Sequence, residues 1–204
     1  MFSAATKSGA GNSTPSDPQF NYVTALLHGD GTNGAVNSGG LAISNVTPFN
    51  IDASSNAFNV AAVNNVHASS WNPYQAGYYG VAFTRLDTGY GSELTVPDTA
   101  ALQMGSGDFT LEMWVYESGT VSYQTIYDKG YVGANAFLIQ MATDLKPYVY
   151  VNGSLLMTSS TAFAMGVWTH FAVVRSGSTM TMYMNGVSVA SAANSTNFNN
   201  TDNL

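Results

Sequence analysis

The sequence predicts an all-β fold, an antiparallel β-sandwich made of many short strands. Three observations predict it. Segment 109–116 alternates apolar and polar side chains with period two, the mark of a strand with one face in a core. Short runs rich in β-branched and aromatic residues recur along the chain, with Gly, Asn and Pro turn signals between them. No segment sustains apolar spacing at i, i+3, i+4, i+7, so no amphipathic helix competes. The length of 204 residues suits one sandwich domain.

Residues 1–19 are rich in Ser, Gly, Ala, Thr and Pro and bury too little apolar surface to offset ordering entropy. They read as a flexible N-terminal arm, with the sandwich over 20–204. Residues 20–28 read as the first strand, broken by Gly29-Asp30-Gly31-Thr32-Asn33-Gly34. Ala57–Val63, Tyr78–Arg85 and Ser92–Val96 follow, the last closed by Pro97. In Phe109–Tyr116, Phe109, Leu111, Met113 and Val115 share one face and Thr110, Glu112, Trp114 and Tyr116 the other. The first set is expected in the core, with Phe171 and Val173 nearby. Thr125–Lys129, Phe137–Met141 and Tyr148–Asn152 come next. Trp168–Arg175 and Thr179–Met184 form a hairpin through Ser176-Gly177-Ser178, and Asn185-Gly186 turns the chain into Val187–Ala190.

Composition excludes several functions. Hydrophobic residues make up 45% of the chain, an ordinary share, but charged residues only 8%, where about a quarter is typical. Five basic against 12 acidic residues give a net charge of −7, so there is no basic footprint for nucleic acid or anionic lipid. No run is long and apolar enough to span a membrane, and Met1 to Gln19 holds no apolar stretch of signal-peptide length. The Asn45-Val46-Thr47 and Asn152-Gly153-Ser154 sites are therefore expected to carry no glycan. With no cysteine, a disulfide framework, a thiolate zinc site and a Cys nucleophile are all excluded.

Four pieces, in order and spacing, resemble the laminin-G-like family of concanavalin A-like jelly rolls. They are Leu94–Asp98 leading into Gly105–Val115, Ile126–Gly130, Trp168–Arg175 and Thr181–Val187. The opening Leu26–Gly34 is similar to the start of such domains in phage structural proteins. The resemblance implies a jelly roll with two further strands after the Asn185-Gly186 hairpin, the last pairing beside the first. The Ser/Asn-rich stretch to Leu204 offers no such pattern, so the missing strand is expected from the N-terminal half, from a partner, or not at all.

Related folds host glycoside hydrolases, which need a pair of carboxyl groups at set separation. Glu112 and Glu117 are five positions apart and point to opposite faces of a regular strand, and no Glu-x-Asp pair exists. No Gly-x-Ser-x-Gly elbow accompanies His28, His67 or His170, and His170 reads as a packed side chain. No cofactor is expected; calcium is the one the resemblance leaves open, with Asp30, Asp87, Asp98, Asp108 and Asp128 in or beside turns, none at the spacing of a known calcium loop. Trp71, Tyr74, Tyr78 and Tyr79 gather aromatic rings in one loop and read as glycan or subunit contacts. The expectation is a non-catalytic virion protein, a capsid decoration or tail-fibre-associated domain. It would contact other virion subunits, form a closed homo-oligomer such as a trimer, and bind host glycans. The alternative is a free carbohydrate-binding module.

Overall fold

The computed structural model describes residues 91–119 and 123–204 and, upstream of them, 54, 56, 58–63, 66–69 and 80–83. The chain divides into two units, Phe2–Val96 and Pro97–Leu204. In the first, β1 (Ala61–Val63) pairs antiparallel with β4 (Glu93–Thr95), and β2 (Val66–Ser69) with β3 (Gly80–Phe83). Three of these lie inside the strands read from the sequence. β2 was not anticipated, because Val66-His67-Ala68-Ser69 carries one branched residue among small and polar ones.

The second unit begins with a 3-10 turn, Ala100–Leu102, that buries Leu102. Eight strands follow: β5 Phe109–Tyr116, β6 Gln124–Lys129, β7 Phe137–Met141, β8 Pro147–Val151, β9 Ser154–Thr158, β10 Trp168–Ser176, β11 Thr179–Met184 and β12 Val187–Ala193. They form two four-stranded antiparallel sheets, β12-β11-β10-β5 and β6-β7-β8-β9, packed face to face as a sandwich. Turn chemistry sets the hairpins. Asn152-Gly153 and Asn185-Gly186 each place both residues at positive φ (52° and 77°, 49° and 78°), the geometry whose twist matches that of flanking strands. Asn152-Gly153 joins β8 to β9, the one strand of this unit the sequence reading did not name.

The core lies between the sheets. Met113, Val115, Phe171, Val173, Met180 and Met182 face it from one side, Phe137, Ile139, Met141 and Val149 from the other, all buried. Phe109 and Leu111 share the inner face, as expected, but are half-buried, on the strand that ends the order β12-β11-β10-β5. Phe109 meets Phe137 edge-on at 5.9 Å, joining the two layers, and Phe171 meets Phe163 of the β9–β10 connection at 5.6 Å. Three of the inner side chains on β11 are methionines, whose unbranched stems fill irregular gaps.

The segment after β12 is ordered by its own chain. Phe198 forms an isolated antiparallel bridge with Gly105 and sits fully buried, 5.0 Å from the Phe137 ring. Arg175, 1% exposed, donates from Nε to Gly107 O (2.7 Å), from Nη1 to Thr196 O (2.6 Å) and from Nη2 to Gly105 O (2.6 Å). Lys129, also 1% exposed, donates to Asp98 Oδ1 at 2.5 Å and to the Asp202 carbonyl. Asn200 Nδ2 donates to Lys129 O (2.7 Å), and Asn203 Oδ1 accepts from Asp98 N (3.0 Å). Residues 194–203 thus form an irregular strap where the family pattern predicts regular strands. Its order comes from two buried cations and one aromatic plug, and no apolar alternation is needed.

Candidate functional site

The face of sheet β12-β11-β10-β5 turned away from the interior follows from the period of two. With Met113 and Val115 inside, Glu112, Trp114 and Tyr116 must point out; with Phe171 and Val173 inside, so must Trp168 and His170. Register then fixes their neighbours: Trp168 lies opposite Tyr116, His170 opposite Trp114, Ala172 opposite Glu112. Directly opposed side chains in an antiparallel pair are close enough to touch. Accordingly the Tyr116 and Trp168 rings stand 5.3 Å apart and tilted by 50°, and Trp114 meets His170 at 5.2 Å and 65°. β11 adds Tyr183 beyond Ala172.

Polar groups border these rings. The Glu112 side chain is 61% exposed and His170 30%, with His170 Nε2 3.5 Å from Glu112 Oε2, within ion-pair range when the imidazole is protonated. The backbone of His170 is clamped by the β11–β12 turn: its N donates to Asn185 Oδ1 (2.9 Å), and its carbonyl accepts from Asn185 N (2.8 Å). At the far end of the face, Gly166 N donates to Glu117 O (2.8 Å), and exposed Met165 and Val167 flank it. Gly166, at φ 73°, brings the loop close to the Tyr116 hydroxyl. Burial raises the Glu117 carboxyl above its ordinary value, opposed by the Gln124 amide, which in its donating orientation lies 3.1 and 3.2 Å from the two oxygens.

Aromatic pairs beside an exposed carboxylate, an imidazole and Thr hydroxyls can stack on the apolar face of a sugar ring and bond its hydroxyls. Glycoside hydrolysis asks for a second carboxyl within about 5–10 Å. On the four strands of this sheet Glu112 is the one acidic residue.

Trp71, Tyr74, Tyr78 and Tyr79, the aromatic loop singled out in the sequence, lie outside the described residues, as do His28, Asp30 and Asp87. The three described aspartates of the calcium set each have a partner. The Lys129 hydrogen bond holds the Asp98 carboxyl below its ordinary value, with Gln103 Nε2 also donating at 3.2 Å. Asp108 Oδ1 accepts from Gly177 N (2.7 Å). Asp128 Oδ1 accepts from Gly130 N (2.8 Å) across a turn, while burial raises its carboxyl. Among the described residues no three His, Asp or Glu side chains are grouped to hold a metal ion.

His170 is packed against Trp114, as read from the sequence, yet part of it stays open beside Glu112. The sequence reading placed Glu112, Trp114 and Tyr116 on one strand face and His170 as a packed side chain of another strand, without joining them. Joining them needed the β5–β10 register, which alternation alone does not supply.

Residues 87–204, which hold β4 to β12, match the family model described as the concanavalin A-like lectin/glucanases superfamily, of the laminin-G type. No curated protein matches the chain.

Proposed function

We propose a non-catalytic carbohydrate-binding or adhesive role for this chain, which belongs to the concanavalin A-like lectin/glucanases superfamily. The observation that carries this reading is the pair of cross-strand ring contacts, Trp114–His170 and Tyr116–Trp168, on one sheet face with Glu112 exposed beside them. The non-catalytic part is supported by Glu112 being the one acid on those four strands. The superfamily fits a carbohydrate-binding or adhesive role.

The finer form of the reading is a phage virion protein, a capsid decoration or tail-fibre-associated domain working as a closed homo-oligomer. A charged fraction of 8% supports it, because little electrostatic repulsion opposes close subunit contact. The Trp71–Tyr79 loop remains a second candidate contact. No cofactor is proposed, and titration with calcium, the one the resemblance leaves open, tests this.

The test is affinity electrophoresis in gels containing soluble polysaccharides, with a reducing-end assay on the same glycans. The expected result is retardation without release of reducing ends. Hydrolysis lost on Glu112→Gln would overturn the non-catalytic reading, and absence of retardation on every glycan would overturn the binding role. Defined copy number in purified phage particles would support the virion form, and absence from them the free module.

A further inference from the structure

We infer that Asn185 is a modification site, deamidated to aspartate and isoaspartate by attack of the Gly186 backbone nitrogen, while packing holds back the matching Asn152-Gly153 pair. The reaction needs only water. The Gly186 nitrogen loses its proton to solvent base and bonds to Asn185 Cγ. The Cγ–Nδ2 bond breaks and ammonia leaves, giving a cyclic imide. Water then opens the imide at either carbonyl, so asparagine and water become an acid and ammonia. Glycine favours the attack, because no side chain shields its nitrogen and its backbone turns freely.

The two turns are alike in most respects, which isolates the difference between them. Each is a two-residue loop, Asn152-Gly153 between Val151 and Ser154 and Asn185-Gly186 between Met184 and Val187. Both pairs hold positive φ, 52° and 77° against 49° and 78°. Asn152 Oδ1 accepts from Ala136 N (3.1 Å) and Asn185 Oδ1 from His170 N (2.9 Å). Each asparagine N donates back to the carbonyl of that same residue. A donor on Oδ1 steadies the negative charge that grows there as Cγ is attacked.

What differs is the space around the glycine. Closing the imide swings the Asn–Gly peptide plane and carries the glycine Cα with it. Apart from its chain neighbours, nothing lies within 4 Å of where a Cβ on Gly186 would stand, and residues 185–188 are all exposed. Gly153 is half-buried, and the same point lies 2.9 Å from Val132 Cγ1 and 3.7 Å from Tyr131 O, in the β6–β7 connection. The swing is open at Gly186 and obstructed at Gly153. The product matters to the sheet: isoaspartate reroutes the backbone through the side-chain carbon and releases His170 N, whereas aspartate keeps an acceptor there and adds a charge.

Incubation of the full chain in mildly alkaline buffer tests the inference, with peptide mapping that separates Asn, Asp and isoaspartate forms by mass and retention. Each rate is divided by that of the same site in the urea-unfolded chain, which removes the effect of local sequence. Expected is a normalised rate at Asn185 at least about tenfold above that at Asn152, a barrier difference of about 1.4 kcal/mol. Val132→Ala, at a position 71% exposed, leaves the core untouched and should raise the Asn152 rate toward that of Asn185. A smaller ratio or the reverse order would overturn the inference. So would an Asn185 that stays intact in the folded chain over the time in which it converts in urea. An Asn152 rate unmoved by Val132→Ala would overturn packing as the cause.

Discussion

The guanidinium carbon of Arg175 stands 5.0 Å from the centre of the Phe198 ring, and Phe109 lies 4.9 Å away on the same guanidinium. This cation, set against two rings, donates from all three of its nitrogens to backbone carbonyls, and none of those three acceptors is a carboxylate. Burial lowers the pKa of Arg175, and the nearby charge of Asp108 works against that shift.

Arg175→Met should therefore be severe. It keeps an unbranched apolar stem but takes the donor from the carbonyls of Gly107 and Thr196 and one of two donors from Gly105, which still accepts from Phe198 N. At about 1–3 kcal/mol for each group left unsatisfied, a loss of about 2 kcal/mol or more is expected in urea denaturation. Hydrogen exchange should rise first at 196–200. A loss under about 1 kcal/mol would mean the strap does not depend on this hub.

The inner face gives a graded pair. Phe171→Ala, at a fully buried site, should cost about 3–5 kcal/mol, whereas Leu111→Ala at a half-buried one should cost clearly less. Equal losses in denaturant titrations would contradict the burial pattern of β5 against β10.

Asp98 predicts a pH effect. Its carboxyl is held low chiefly by the hydrogen bond from Lys129. A carboxylate depressed in the folded state adds stability that is present above its unfolded pKa and lost as pH falls through the folded value. Glu117 and Asp128, both raised chiefly by burial, act in the opposite sense on the same acid limb. Asp98→Asn should thus be less stable than the parent at neutral pH, with the gap closing below the ordinary carboxylate range. A melting-temperature gap that stays constant down to that range would show that Asp98 does not bind Lys129 as an anion.

Two glycines separate strain from collision. Gly186 sits at φ 78° with open space where a Cβ would be, so Gly186→Ala should cost about 1–2 kcal/mol from backbone strain alone. Gly130, at φ 86°, would in addition drive a Cβ to 2.7 Å from Asn200 Nδ2, so Gly130→Ala should cost more and loosen 200–203. Thermal melts rank the two, and the reverse order would refute the packing of the strap on Gly130.

Where side chains alternate, the sequence was readable. Phe109–Tyr116 and Thr179–Met184 match the observed strands residue for residue, the continuous apolar run Phe137–Met141 does so without alternating, and the Asn185-Gly186 turn forms as read. β9 was missed although Asn152-Gly153 announced it, because Ser154-Leu155-Leu156-Met157-Thr158 does not alternate. The strap was invisible for a stronger reason. Its order depends on Arg175 and Lys129, far away in sequence, reaching carbonyls that any residue types could provide. The ring-bearing face was half legible: its members were on the correct strand faces, but which rings meet is a matter of register.

The strap also sets an order in time. Asp98 closes on Asn203 across 105 residues, and Arg175 reaches back 70 residues to Gly105. Such long closures must be made before they yield any stability, which slows folding. During synthesis, Lys129 and Arg175 emerge before the carbonyls of Thr196 and Asp202 exist to receive them. The two sheets can begin to pair on the ribosome, but both cations wait for partners until residues 196–203 clear the exit tunnel. Final closure of this domain thus waits for residues 196–203 to leave the tunnel, and a nascent chain stalled short of Thr196 is the species most exposed to misassembly.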